Sequence, residues 1–162
     1  MENNEIIQKL KGQFGPSVLS SEEPYGILSF TIDSVSVISV IQFLKEQLGF
    51  NFLTDLCGIH YPDHELSLGV TYHMHNMKEN TRLRIKTFLP GSSPKLATAT
   101  GLFPAANWME RETFDFYGIK FEGHPNLKRI LNVEYLDYHP MRKEYPLEDP
   151  TRHDKDDRFF GR

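Results

Sequence analysis

The sequence predicts an α+β fold, with a small, mostly antiparallel sheet, helices on one of its faces, and an extended C-terminal arm of turns and short segments. Two observations predict the sheet: residues 66–75 and 82–89 each alternate apolar and polar side chains, and a turn-like stretch at 78–80 joins them. Such regular alternation is typical of antiparallel strands with one face on a core and one in water. A third observation predicts the arm, because residues 108–150 are dense in charges, prolines and aromatic rings.

The length of 162 residues predicts one domain with a tail. We divide it into an α+β scaffold over residues 1–103, a signature helix and interface arm of the same domain over 104–150, and a charged tail over 151–162. Because Cys57 is the only cysteine, it has no intramolecular disulfide partner, and we expect a reducing compartment. The formal net charge of −4 argues against a nucleic-acid binder. No apolar stretch is long enough to cross a bilayer, and the first residues do not resemble a signal peptide.

The elements before the hairpin follow from periodicity. Apolar residues at helical spacing predict an amphipathic helix over residues 4–14. Alternation over residues 25–32 predicts a strand. A second helix is predicted to begin with Asp33 or Ser34 as its N-cap and to stop at Gly49, and its apolar ridge is expected to cover the sheet.

The remaining elements include the strands that define the two faces of the sheet. A strand is predicted over residues 50–59. In the next strand, one face is apolar through Leu66, Leu68, Val70, Tyr72 and Met74, and the other carries Ser67, Thr71, His73 and His75. The returning strand adds Arg82, Arg84 and Lys86 to the polar face. After a short segment at 96–102, Pro104 suits the first turn of a helix that carries Trp108 and ends at Gly118, and only turns and brief strands are expected beyond it.

The carboxylates of this last helix do not form a catalytic pair. Glu110 and Glu112 are two residues apart and therefore point about 200° away from each other. Arg111 and Asp115 are four residues apart, which favours an ion pair between them on the helix surface.

The histidines leave one alternative open. His73 and His75 share one strand face, and His-x-His is a ligand spacing for zinc, although the cationic neighbours Arg82, Arg84 and Lys86 oppose a divalent cation. A stand-alone metal-binding protein that uses His73 and His75 is therefore the alternative from a different functional class. His124 and His139 each precede a proline, which favours a structural role.

Other catalytic signals are missing from the sequence. Cys57 lies in an apolar strand context that favours an unreactive thiol, and the chain contains neither a phosphate-binding glycine loop nor a CxxC pair. We therefore predict no catalytic residue, no cofactor-binding residue and no metal ligand in this chain.

The same stretch of charges and aromatic rings is typical of a protein interface, where Tyr, Trp, Phe and Arg are enriched. We expect the chain to be an obligate component of a complex that binds its neighbours mainly through this surface. The predicted interface residues are Glu110, Arg111, Glu112, Asp115, His124, Pro125, Arg129, His139, Pro140, Arg142, Lys143, Tyr145 and Pro146.

The arm also carries short motifs that resemble those of a known family. The motifs are Trp108-Met109-Glu110-Arg111-Glu112, Asp115-Phe116-Tyr117-Gly118-Ile119, Phe121-Glu122-Gly123-His124-Pro125, Arg129-Ile130-Leu131 and His139-Pro140-Met141-Arg142-Lys143-Glu144-Tyr145-Pro146-Leu147. Together they resemble the signature of the C subunit, or 30-kilodalton subunit, of NADH–quinone oxidoreductase, which is respiratory complex I. The departures are Tyr117, where Phe is more usual, and Tyr138, where Gly often precedes the second His-Pro.

This resemblance implies a non-catalytic subunit of the hydrophilic arm of a proton-translocating complex. It implies the D and B subunits as partners, with the D/B pair forming the quinone site, and other hydrophilic-arm subunits nearby. It also implies that flavin, iron–sulfur clusters and quinone belong to partner subunits, and that the chain lies peripherally on the cytoplasmic face of the cell membrane. The equivalent subunit of a membrane-bound hydrogenase, or of a ferredoxin- or F420-linked relative, is the alternative within the resemblance.

Overall fold

The computed structural model describes residues 2–145 of the 162-residue chain. The predicted tail, residues 151–162, and the last residues of the predicted arm, including Pro146, lie outside this range. The helices are α1 (Asn3–Phe14), α2 (Val37–Leu48) and α3 (Ala106–Tyr117). The strands are β1 (Val18–Glu22), β2 (Leu28–Ile32), β3 (Phe52–His60), β4 (Leu68–Asn76), β5 (Thr81–Leu89), β6 (Lys95–Ala97) and β7 (Lys120–Glu122).

The main sheet has five strands in the order β1-β2-β5-β4-β3. All neighbours pair antiparallel except β2 and β5, which are parallel. The chain therefore leaves the sheet after β2, crosses through α2, and returns through β3 and β4 before β5 pairs beside β2. The short strands β6 and β7 form a separate parallel pair. The α+β class and the mostly antiparallel sheet predicted from the sequence are confirmed.

A single apolar core lies between the helices and one face of the sheet. The strand register places Leu56, Tyr72 and Ile85 side by side on this face, and all three are buried. Helices α1 and α2 bring Leu10 and Leu44 into the same cluster. The opposite face carries the predicted polar residues, with His73 beside Arg84, which confirms the hairpin. Leu66 was predicted to lie on the apolar face, but it precedes β4 and is 45% exposed, so that assignment is wrong.

The structure differs from the predicted elements at three further places. The strand predicted from Tyr25 begins only at Leu28, because a single turn over Pro24–Gly26 precedes it and Tyr25 adopts a φ of +57°. Helix α2 begins at Val37, since Asp33 accepts the Ser36 backbone N–H in a turn rather than capping the helix. Strand β1 was not predicted at all, because its five residues form an edge with no clear apolar alternation.

Helix α3 runs beside β3 and ends as predicted at Gly118, which has a left-handed φ of +75°. Gly58 of β3 makes this packing possible, since a Cβ there would lie 2.4 Å from the Tyr117 ring. Among residues 2–145, no helix has the length and apolar character that a membrane span requires.

Candidate protein interface

Helix α3 directs Glu110 into the protein and Glu112 towards solvent, as their spacing predicts. The Glu110 side chain is fully buried and accepts two short hydrogen bonds. The Thr98 hydroxyl donates to its Oε2 at 2.5 Å, and the Ala99 backbone N–H donates to its Oε1 at 2.6 Å. Glu110 thereby fixes the chain just after β6 to the middle of α3.

Burial changes the acidity of Glu110. Desolvation raises the pKa of this carboxyl to about 7, and the hydrogen bonds from Thr98 and Ala99 oppose the rise without cancelling it. The protonated and ionised forms of Glu110 therefore both occur near neutral pH in the folded chain.

The Asp115 carboxylate of α3 accepts most of the hydrogen bonds that hold the start of the arm. Its Oδ2 accepts the three successive backbone N–H groups of Ile130, Leu131 and Asn132 at 3.0, 2.8 and 2.9 Å. Its Oδ1 accepts the Asn132 side-chain amide at 3.1 Å and the Arg129 guanidinium at 2.7 Å. Successive backbone N–H groups around one anion form a nest, so this buried carboxylate determines how residues 129–132 fold.

Arg129 extends the same network along the arm. Besides Asp115, its Nη2 donates to the backbone carbonyls of Leu136 at 2.7 Å and Tyr138 at 3.0 Å. One guanidinium therefore holds two separated turns against the C-terminal end of α3. The planar, multidentate donor set of arginine suits this task better than a lysine ammonium would.

The predicted pairing of Arg111 with Asp115 is wrong. Arg111 instead donates to the backbone carbonyls of Lys128 at 3.2 Å and Arg129 at 3.1 Å, and its guanidinium lies 5.2 Å from the centre of the Trp108 ring. Burial alone would raise the pKa of Asp115, but the backbone N–H groups and Arg129 hold it well below its ordinary value. Asp115 is therefore an ionised internal anchor.

The second His-Pro pair lies directly over the end of α3. The Nδ1 of His139 donates to the Asp115 carbonyl at 2.9 Å, and the Nε of Arg142 donates to the Tyr117 carbonyl at 2.8 Å. Both side chains cover Gly118, where a Cβ would lie 2.6 Å from the His139 ring and 3.0 Å from the Arg142 guanidinium. These contacts satisfy carbonyls that the last turn of a helix leaves unpaired.

The first His-Pro pair closes a shorter loop. The Nε2 of His124 donates to the Asn107 carbonyl at 3.1 Å, while its Nδ1 accepts the Asn126 backbone N–H at 3.0 Å. These two bonds are compatible only with a neutral imidazole, because one ring nitrogen donates and the other accepts.

The far end of the described arm returns to the sheet. The backbone N–H of Lys143 donates to His60 Nδ1 at 2.9 Å, and Tyr138 packs against Tyr145 with ring centres 4.8 Å apart. Sequence reasoning did not assign this role to His60, or the carboxylate contact to Asn132, since neither has a local signal.

The predicted interface residues therefore have different environments. Glu110 and Asp115 are buried within this chain, whereas Glu112, Pro125, Lys143 and Tyr145 are exposed. The half-buried members of the set are Arg111, His124, Arg129, His139, Pro140 and Arg142. Their participation in an interface stays a prediction, and Pro146 lies outside the described residues.

Between residues 130 and 145 this network presents a row of large apolar side chains to solvent. Leu131 is 67% exposed and Tyr135 is 87% exposed. The other members are Ile130, Val133, Tyr138, Met141 and Tyr145, and we call the whole set the arm patch.

The two histidines of the metal hypothesis lie on the polar sheet face. His73 stands between Asp55 and Arg84 in the register, and burial and Arg84 lower its pKa. His75 bonds to the Asn80 side chain at 3.1 Å. Within residues 2–145 no three His, Cys, Asp or Glu side chains are grouped so that they could hold a metal ion.

The comparisons with known proteins agree with the motifs of the arm. The family described as respiratory-chain NADH dehydrogenase, 30 Kd subunit, matches residues 30–151. The chain belongs to this 30-kDa subunit family. It is 36% identical over 151 residues to the C subunit of the NADH-quinone oxidoreductase of Citrifermentans bemidjiense, covering 93% of this chain and 94% of the relative. The NADH-quinone oxidoreductase C 2 subunit of Rhizobium meliloti is 42% identical over 139 residues, which are 84% of this chain and 75% of the relative.

Solved structures share the fold of this 30-kDa subunit family member. A trypsin-resistant fragment of Nqo5 superimposes with a TM-score of 0.68 and 29% identity, covering 78% of this chain and 100% of the fragment. A chain of an archaeal membrane-bound sulfane sulfur reductase superimposes with a TM-score of 0.77 over 91% of this chain and 87% of that chain. Its 21% identity shows a common fold alone.

Proposed function

We propose that this chain is a non-catalytic subunit of the hydrophilic arm of a proton-translocating NADH–quinone oxidoreductase. In this proposal it packs against the D subunit beside the D/B quinone module, on the cytoplasmic face of the cell membrane, and stabilises the assembly. Flavin, iron–sulfur clusters and quinone are assigned to partner subunits. The family supports membership of a respiratory complex, and the motifs that carry the family resemblance are the ones that build the arm.

The arm patch is the observation that carries the assembly role. Seven large apolar side chains are exposed within sixteen residues of the arm, and such a concentration of exposed apolar side chains is typical of a protein interaction site. Here the backbone beneath the patch is tied down by Asp115 and Arg129, so the apolar side chains are exposed on an ordered frame. A preorganised surface of this kind loses little conformational entropy when a partner covers it.

The experiment is an affinity purification of tagged protein from gently solubilised membranes, with the co-purifying chains identified by mass. We expect subunits of the D, B and flavoprotein types, together with NADH–quinone activity. Recovery with a hydrogenase or with a sulfur reductase would assign the chain to a different respiratory complex. Purification of the chain alone would contradict the proposal.

A pair of variants tests the arm patch itself. Leu131→Asp with Tyr135→Asp places charge in the patch, so we expect co-purification of the partner subunits to be lost while the isolated chain stays folded. The matched control is Val35→Asp with Tyr25→Asp, which alters two apolar residues that are 88% and 100% exposed outside the arm. Equal recovery of partners with both variants would place the interface elsewhere.

A further inference from the structure

The face of the main sheet that turns away from the core carries a row of long side chains on β5. The row alternates with buried residues of the same strand, so its members project from one face, about 7 Å apart. Its members are Arg82, Arg84, Lys86 and Phe88, and we call them the β5 row. Within residues 2–145, the buried apolar residues of the helices belong to the core on the other face, so the face of the β5 row is left open.

Short side chains flank the β5 row on the two neighbouring strands. The register places Thr31 of β2 and Thr71 of β4 on either side of Lys86, and Ser29 of β2 beside Arg84. Ser29 and Thr71 are both buried. A partner that lies on the open face therefore meets the longer side chains of the β5 row first.

The arginines of the row have no counter-ion in the described chain. Lys86 donates to the Glu22 carboxylate of β1 at 3.0 Å. By contrast, the guanidinium groups of Arg82 and Arg84 form no hydrogen bond and no ion pair with any residue in the range 2–145. The acids Glu22 and Asp55 of this face lie on the two edge strands. Two unpaired guanidinium groups in the middle of a face suit incoming carboxylates, which they bind through paired hydrogen bonds.

The other end of the β5 row is apolar and lies beside a groove. The groove has a volume of about 350 Å³ and is lined by His64, Glu65, Leu66 and Phe88. The Phe88 ring reaches over Gly69 of β4, where a Cβ would lie 3.0 Å from the ring. The groove has room for one large apolar side chain of a partner.

We propose that an acidic segment of a partner subunit docks on this open face, with carboxylates on Arg82 and Arg84 and a large apolar side chain in the groove beside Phe88. Six residues separate the two ends of the β5 row, so an extended segment must span about 20 Å. Charge complementarity fixes where the segment binds, since a chain with a net charge of −4 repels acidic segments elsewhere on its surface. This inference rests on the proposed function and adds a second contact within the same complex.

Zero-length cross-linking in the purified complex tests the carboxylate contact. Arg82→Lys keeps the positive charge and supplies an amine, which a water-soluble carbodiimide condenses with a carboxylate in direct contact. We expect an amide bond from position 82 to an Asp or Glu of a partner subunit, identified by mass. A complex without this bond overturns the proposal. A bond only to residues 146–162 of the same chain also overturns it, because the occupant would then be this chain's own C-terminal segment.

The control for the cross-link is Lys11, an exposed amine on α1, which packs on the other face of the sheet. It reports unspecific coupling in the same preparation. Equal coupling of Lys11 and position 82 to partner carboxylates overturns the specific contact.

Hydroxyl-radical oxidation of the free chain and of the complex tests the apolar contact. We expect Leu66 and Phe88 to be oxidised at least about fivefold more slowly in the complex, because the centre of an interface excludes water. The fully exposed Tyr25 is the reference and should react equally in both. Oxidation of Phe88 that does not change on assembly overturns the docking of an apolar side chain.

Charge variants test the acidic character of the segment. Arg82→Glu with Arg84→Glu is expected to lower recovery of partner subunits to less than about a fifth of the wild-type level, because like charges would face each other. Arg82→Gln with Arg84→Gln should give an intermediate yield. The control Lys9→Glu with Lys11→Glu makes the same charge change at two exposed cations of α1 and should leave recovery unchanged. Equal recovery with all three pairs overturns the acidic segment, provided that circular dichroism shows each isolated variant folded.

The chains identified by mass in the same preparation separate this inference from the proposed function. A complete complex without the cross-link overturns docking on the open face and leaves the assignment to the complex standing. A chain that purifies without partners overturns both.

Discussion

The sheet core and the arm of this chain are stabilised in different ways. In the core, residues such as Ile41, Leu44 and Ile85 are fully buried among other apolar side chains. In the arm, Asp115 and Arg129 hold the backbone through charged hydrogen bonds with defined donors and acceptors. Apolar packing is non-directional and depends on total volume, whereas such a network depends on individual atoms. The arm is therefore the region where a small chemical change has the larger local consequence.

The largest expected effect comes from Asp115→Ala. It leaves the Arg129 guanidinium and three backbone N–H groups without their carboxylate, and breaking a buried ion pair in this way costs about 3–5 kcal/mol. We expect residues 124–145 to exchange amide hydrogens rapidly while β4 and β5 stay protected. Leu44→Ala is the core comparison, at about 2–5 kcal/mol, and should instead accelerate exchange throughout the sheet. The same exchange pattern in both variants would contradict the distinction between the two regions.

The second-largest expected effect is a dependence of stability on pH that arises from the Glu110 carboxyl. Its pKa rises from 4.5 to about 7 on folding, so the folded chain binds a proton more readily than the unfolded chain. The contribution of Glu110 to the free energy of unfolding is therefore greatest below pH 4.5, and it falls by about 3 kcal/mol as the pH rises to 7 and above.

Glu110→Gln should remove this slope, because an amide accepts the Ala99 hydrogen bond without titrating. Denaturant unfolding at a series of pH values between 4.5 and 8 measures it. A slope that survives in the glutamine variant would assign the pH dependence to another group.

Glycine substitutions give a smaller contrast. Gly118→Ala and Gly26→Ala both force alanine into a left-handed backbone, with φ of +75° and +74°, at about 1–2 kcal/mol each. Only at Gly118 does the new Cβ also meet His139 and Arg142, which adds about 1–3 kcal/mol of overpacking. The free energies of unfolding of the two variants, measured by thermal unfolding, should differ by that additional amount. Equal unfolding temperatures would show that the arm moves aside at little cost.

The smallest expected effect is that of Arg111→Ala. The guanidinium donates two hydrogen bonds to backbone carbonyls near the protein surface, so its loss should cost about 1 kcal/mol. Arg82→Ala removes an exposed arginine side chain that forms no hydrogen bond or ion pair within residues 2–145, so it should be close to neutral. Denaturant unfolding of both variants compares them. A cost of several kcal/mol for Arg111→Ala would show that the Trp108 contact contributes more than its exposed position implies.

The sheet core and the arm also differ in how much of their structure could be predicted from the sequence. Local signals predicted strands β4 and β5, through their alternation of apolar and polar residues. They also predicted the C-terminal ends of α2 and α3, through the glycine that follows each helix. The partner of Asp115 could not be predicted in this way, since spacing favoured Arg111 four residues away and the fold selects Arg129 fourteen residues away. Burial of Glu110 was equally invisible, because a glutamate inside a charged run is ordinarily exposed.

The parallel pairing of β2 with β5 has a consequence for synthesis on the ribosome. Strand β2 ends at Ile32, and its inner partner begins only at Thr81. At about 5–20 residues per second, roughly 2–10 s pass between the translation of these two strands. During that interval β1 is the one sheet neighbour of β2 that has been made, and the backbone N–H and C=O groups on the other edge of β2 still lack the strand that will pair with them. The nascent chain is therefore most exposed to premature association before its fifth strand is made.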